Sequence, residues 1–220
     1  MAEIDSDKAR FNMVEQQIRP WEVLDYRVLD VLRTLPRERF VPERFRRVAY
    51  ADLQIPLPHD QVMMEPRVEA RVLQALNLQP QDSALEIGTG TGYLTTCMAS
   101  LAGRVTSVEL FDDLREMAQG QLQAQGVGNV SLVAGDAGQG WDDGQRYDAI
   151  AVTGSLPQLH EGFHRSLALG GRLFLIVGEF PIMEALLFTR VSEQQWTRES
   201  LFDTSQPPLV GAPREQRFEL

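Results

Sequence analysis

The stretch Leu85-Glu86-Ile87-Gly88-Thr89-Gly90-Thr91-Gly92-Tyr93 constrains this chain more than any other. A short apolar run meets three alternating glycines, and a helix-forming segment follows. Glycine tolerates positive φ and lets a ligand approach the backbone, so the stretch reads as strand, tight turn and helix. In an open α/β sheet such a turn lies at the carboxyl end of a strand, where ligands bind. The spacing is G-x-G-x-G, not the G-x-G-x-x-G that prefaces a pyrophosphate site.

From residue 83 the chain repeats this rhythm. Strands are predicted at 83–87, 104–110, 129–135, 147–154 and 172–178, and helices at 91–102, 112–125 and 159–168. Gly170 and Gly171 end the last helix, and segments 183–191 and 195–202 read as two closing strands. This alternation implies an α/β fold, a doubly wound, mostly parallel seven-stranded sheet of Rossmann-like type. Upstream, residues 7–18 and 25–35 carry apolar positions at helical spacing, with Asp25 as N-cap of the second helix. Pro20, Pro36 and Pro42 interrupt this region, and the proline-containing stretch 50–66 reads as irregular. Pro66 opens a helix through 67–77. We therefore divide the chain into an N-terminal helical extension with a substrate-side segment, 1–66, and a binding domain, 67–220, packed as one compact unit.

Three carboxylates fall where this architecture places ligand contacts. Glu109, followed by Leu110, ends the second strand 17 residues after Gly92, where an acid can accept both hydrogen bonds of a ribose diol. Asp136, followed by Ala137, comes after the third strand, where an acid can accept from an adenine amino group. Glu86 precedes the first glycine and is placed to meet a cationic amino-acid moiety. With Gly88, Thr89, Gly90 and Gly92 they describe a pocket for a nucleoside joined to an amino acid without a diphosphate. That is the shape of S-adenosyl-L-methionine (SAM). Any one of these acids alone could be a helix cap or a turn residue; the ordered set carries the reading.

The formal net charge of -10 argues against nucleic-acid binding, because phosphate backbones repel an acidic surface. Residues 1–50 are nearly neutral, so the deficit lies downstream. The single cysteine, Cys97, cannot form an intramolecular disulfide and reads as a small buried hydrophobe. No apolar run reaches the roughly 18 residues of a membrane span, and the N-terminus lacks an apolar signal core. We expect a cytoplasmic protein without a membrane partner.

Three lesser features remain. His160-Glu161-Gly162-Phe163-His164 matches H-E-x-x-H, with Glu184 twenty residues beyond, but Gly162 weakens the helix a zinc site would need. We expect no metal. Arg44-Phe45-Arg46-Arg47 is either a solvated face or an anchor for an acidic acceptor. Met63 and Met64 are either core filling or an adaptable substrate wall.

The sequence resembles the protein-L-isoaspartate O-methyltransferases, within the class I SAM-dependent methyltransferases. The likeness is carried by Met13-Val14-Glu15-Gln16-Gln17-Ile18, Pro36-Arg37-Glu38-Arg39-Phe40-Val41-Pro42 and Ala49-Tyr50-Ala51-Asp52. The glycine loop and Tyr147-Asp148-Ala149-Ile150-Ala151-Val152-Thr153 extend it. The resemblance implies SAM as cofactor, methyl transfer to a carboxylate on a protein, peptide or small molecule, and no catalytic dyad. Two stretches depart from it. The family reads Gln-Thr-Ile-Ser-x-Pro where this chain has Gln61-Val62-Met63-Met64-Glu65-Pro66, so Met64 stands at the position of a serine in the substrate site. The family ending Val-Arg-Phe-Val-Pro-Leu is replaced around Ser205-Gln206-Pro207-Pro208-Leu209. Isoaspartyl turnover is therefore expected to be weak, and the alternative is a SAM-binding protein with another acceptor or little catalysis.

Overall fold

The computed structural model describes residues 5–214. The chain begins with α1 (Ser6–Asn12), capped by Asp5 and continued by a π-helical turn, Met13–Ile18. Helix α2 (Tyr26–Thr34) starts at Asp25, whose carboxylate accepts from Arg27 N. Both begin where a capping carboxylate meets orphan amides. Two short 3-10 turns follow, and then strands β1 (Ile55–Pro56) and β2 (Val62–Met63) pair antiparallel. The stretch 50–66 is mostly irregular, as read, and these two strands make a small hairpin in it, turned through His59 and Asp60 at φ 59° and 56°. Helix α3 (Pro66–Leu76) opens on Pro66, as its missing N–H allows.

The second part winds β3 (Ser83–Ile87), α4 (Tyr93–Leu101), β4 (Arg104–Glu109), α5 (Asp112–Ala124), β5 (Val130–Ala134), β6 (Tyr147–Leu156), β7 (Leu167–Glu179), β8 (Ile182–Ser192) and β9 (Gln195–Thr204). The seven strands lie in the order β5-β4-β3-β6-β7-β8-β9. The first five in that order run parallel, and β8 and β9 return antiparallel as a meander. From β3 the chain crosses to one side for β4 and β5, then returns to the other for β6. The carboxyl ends of β3 and β6 therefore flank the switch point where open sheets bind ligands.

One predicted helix is corrected. Residues 159–168 hold only a 3-10 turn, Glu161–Ser166, and β7 begins at Leu167. The cause is close backbone packing. A Cβ at Gly162 would lie 2.1 Å from Gln139 O, so this segment is pressed against the loop before β6 and has no room for a regular crossover helix.

The N-terminal helices are built into the core. Met13, Ile18 and Leu29 share one apolar cluster with Val72, Leu73 and Met98. Arg37, fully buried, ties the layers together: its guanidinium pairs with Glu69 of α3, donates to Ala49 O (2.9 Å) and Met64 O (2.7 Å), and lies over the Tyr93 ring. Burial pushes the Glu69 carboxyl up to about 7 against the pull of Arg37. Among the described residues no helix is long and apolar enough to cross a membrane.

Candidate active site

The glycine turn is shaped by its neighbours as well as by its own residues. A bulge in β6 carries Thr153 over the turn, where its hydroxyl reaches Ile87 O (2.8 Å) and Gly88 O (3.0 Å). A Cβ on Gly88, whose φ is +93°, would stand 2.4 Å from that hydroxyl oxygen. Only glycine fits there. Gly92, at φ +80°, opens α4, and a Cβ there would press on Ala118 of α5 at 3.1 Å. Gly92 thus packs α4 on α5 and lies outside the cleft lining, whereas Gly88 and Gly90 line it.

The cleft has two lobes that share Leu57, Val62, Gly88, Gly90 and Thr153. The outer lobe, about 670 Å³ including its open mouth, is bounded by Glu109, Leu110, Phe111, Asp136 and Ala137. Glu109 ends β4 with both oxygens occupied: Gly90 N donates at 2.8 Å to one, and Leu110 N (2.9 Å) and Phe111 N (3.1 Å) donate to the other. These bonds fix a carboxylate at the rim of the turn. Asp136 accepts from Gly138 N at 2.9 Å, and Gly211 of the C-terminal segment lies against it.

The inner lobe, about 310 Å³, reaches down to Glu86. Glu86 is fully buried. One oxygen accepts from Thr95 and from Ser107 (2.6 Å), and Thr89 lies 2.6 Å from the Ser107 hydroxyl, which completes a relay Thr89, Ser107, Glu86. The other oxygen has no partner among the described residues. Burial pushes the Glu86 carboxyl up to about 8. A buried carboxylate with an open oxygen is costly until a donor or a cation meets it.

Sequence reasoning thus assembled Glu86, Gly88, Thr89, Gly90, Glu109, Leu110, Asp136 and Ala137 around one cleft. It missed the roof. The β1–β2 hairpin supplies Leu57 and Val62, and the segment after β9 supplies Gln206, Pro207, Leu209 and Val210. Thr153 was also missed, although its place after an apolar strand was a usable signal. Met64 lies on the inner lobe, buried, with its carbonyl occupied by Arg37. The H-E-x-x-H residues do not line this cleft. His160 accepts from Gly162 N (3.1 Å), His164 packs on Phe188 and Trp196, and Glu184 pairs with Arg198 (2.8 Å). Arg44 lies over the Phe45 ring. Cys97 is buried, with its thiol raised by desolvation.

A parallel sheet with a glycine turn, a carboxylate ending the second strand and a second acid after the third define a nucleotide-type cleft without a phosphate cradle, the arrangement of class I methyltransferases. A family model for protein-L-isoaspartate(D-aspartate) O-methyltransferases matches residues 8–210, and the chain belongs to that family. It is 40% identical, over 92% of its length and 83% of the relative's, to protein-L-isoaspartate O-methyltransferase 1 of Rhodopseudomonas palustris strain HaA2. It is 36% identical to the Koribacter versatilis enzyme of that name, over 93% of this chain and 91% of the other. Among solved structures it superposes, with a TM-score of 0.79 and 21% identity, on a chain described as a Plasmodium falciparum protein-L-isoaspartate O-methyltransferase in complex with S-adenosyl-L-homocysteine (SAH). The match covers 94% of this chain and 99% of that one.

Proposed function

We propose that the two-lobed cleft binds SAM and that the chain directs its methyl group to a carboxylate presented by a peptide or a small acid. The observation that carries this is the pair of opposed polar ends joined by a glycine-lined waist. Glu109 and Asp136 suit the diol and amino group of a nucleoside in the outer lobe. The open oxygen of Glu86 suits an ammonium in the inner lobe. SAM, when bound, supplies an electrophilic methyl group on a sulfonium. The chain's contribution is to orient and to exclude water. A carboxylate acceptor is ionised at neutral pH, its pKa being about 4, so no residue need take its proton. Alignment of nucleophile and methyl group supplies much of the rate. Calorimetry with SAH tests the cofactor assignment. Glu109→Ala should weaken binding by about 1–3 kcal/mol through the lost diol contacts; unchanged affinity would overturn the ribose placement.

The acceptor is more restricted than the family name suggests. Entering the cleft strips water from a carboxylate, and donors must replace it. The family serine would offer one; Met64 offers a thioether, and its carbonyl is already taken. A lost hydrogen bond to a charged group is worth about 1.5–3 kcal/mol, or roughly ten- to a hundredfold in rate when it acts in the transition state. Isoaspartyl peptides are therefore expected to be slow substrates of this chain. Methyl-transfer assays on an isoaspartyl peptide should show a gain for Met64→Ser; turnover by the unaltered protein at the level of a repair enzyme would refute the reading. The lone buried cysteine and the acidic surface suit a cytoplasmic protein that does not act on nucleic acids.

A further inference from the structure

The segment after β9 folds back across the carboxyl end of β6, and Ser155 pins it there. Ser155 N donates to Pro207 O (2.9 Å), Ser155 O accepts from Leu209 N (2.9 Å), and the Ser155 hydroxyl donates to Gln206 O (2.9 Å). On the other side Gln54 Nε2 donates to Ser205 O (2.6 Å), and Gln206 N points at Met183 Sδ (3.2 Å). The backbone of Gln206 is therefore fixed, and its side chain is only 2% exposed.

Its Nε2 donates to Glu65 Oε2 at 3.0 Å. A carboxylate only accepts, so the amide nitrogen faces Glu65 and the orientation of the amide is settled by chemistry. Oε1 is left without a partner among the described residues. Gln206 also belongs to the cleft lining, with Gln61 and Val62 of the hairpin in the same lobe. The two stretches that depart from the family pattern, Met64-Glu65 and Ser205-Gln206, thus meet at this contact. The carboxyl groups that line the lobes are Glu109 and Asp136 outside and Glu69 and Glu86 inside, and among the described residues no lysine or arginine joins them.

We propose that Gln206 is a specificity-determining residue whose Oε1 accepts a backbone N–H of a peptide acceptor beside the methylated group, and that Glu65 is the positioning residue that holds the amide in that sense. The proposal rests on the reading that a peptide is methylated in this cleft. It deepens that reading by naming the feature recognised, an unsubstituted peptide N–H.

The test uses an isoaspartyl peptide and analogues N-methylated at each amide flanking the isoaspartyl residue. Binding to the SAH-loaded protein by calorimetry and methyl transfer from SAM are measured separately. The unaltered protein should bind one analogue about tenfold more weakly than the parent. Gln206→Met, close in shape, should bind the parent about tenfold more weakly and no longer discriminate, while an unchanged melting temperature reports that the fold is intact. Glu65→Gln frees the amide to turn, so KM should rise and discrimination fall while kcat is retained. Equal discrimination by the unaltered protein and Gln206→Met, or none in the unaltered protein, overturns the proposal. Discrimination in binding without any methyl transfer would leave Gln206 assigned and overturn the proposed reaction instead. Failure of the SAH-loaded protein to bind any of these peptides overturns the proposal, since no peptide N–H is then recognised, and leaves a small acid as the acceptor.

Discussion

Glu86 is raised to about 8 by burial, so at neutral pH the ligand-free protein holds it mostly protonated. An ammonium in the inner lobe favours the ionised form, so binding should expel up to one proton. The consequence has a definite sign. SAH affinity should rise as pH increases toward about 8, and calorimetry at pH 7 in buffers of different ionisation enthalpy should show proton release. The same shift acts on folding without ligand. A carboxyl raised in the folded state adds stability that is complete below its unfolded value of about 4.5 and is lost as pH rises through about 8. Glu69, raised to about 7, adds a loss of the same sign over a narrower window. Glu86→Gln should remove the proton release and the Glu86 share of the fall in thermal stability between about pH 5 and 8, leaving the fall due to Glu69 and the opposing rise due to His160 and His164, whose imidazoles burial holds below their ordinary value. Persistent proton release in Glu86→Gln would show that the ammonium lies elsewhere.

Elements differ in how far the sequence alone defines them. Strands β3 and β6 were legible because apolar runs end in punctuation: glycines after Ile87, and Thr153-Gly154 after Val152. The acids at Glu109 and Asp136 were legible because their strand ends put them at the same edge. The 159–168 helix failed because its apolar pattern carries no sign that Gly162 is pressed on Gln139 O from another loop. The roof was illegible for the same reason, being made by contacts between segments about 150 residues apart, such as Gln54 with Ser205. The β1–β2 hairpin also holds a latch that no local pattern announces. The His59 ring stacks on Phe111 (4.0 Å between centroids, 6° between planes), and its Nε2 lies 2.8 Å from Asp113. Phe111, Leu57 and Val62 line the outer lobe, so this contact joins the roof to the rim of the cleft. Exposed ion pairs contribute little to global stability. The effect of His59→Ala should accordingly appear in kinetics: a severalfold faster SAH dissociation by stopped flow, with the melting temperature nearly unchanged. An unaltered dissociation rate would show that the hairpin does not gate the cleft.

Over the whole molecule the formal charge is -10, and Glu109 and Asp136 place part of it at the cleft. Such a surface repels polyanions, so duplex DNA and RNA should not be retarded with this protein in gel shifts at physiological salt. Tight, salt-sensitive binding would direct attention to Arg44, Arg46 and Arg47 on the Glu43–Val48 turn. The same field also sorts peptide acceptors. A methylated carboxylate is negative, but the residues around it need not be, and an acidic rim attracts a peptide whose flanks carry lysine or arginine. Attraction between exposed charges acts over roughly a Debye length, about 8 Å at physiological ionic strength, and is screened by added salt. It changes the encounter more than the chemistry. Matched acceptors with basic and with acidic flanks should therefore differ in kcat/KM and much less in kcat, with the basic one favoured. The gap should narrow as ionic strength rises, and Met64→Ser, which alters the inner lobe without changing charge, should leave the gap in place. A preference for acidic flanks at low salt would show that the local field at the mouth is not the one its lining carboxylates imply.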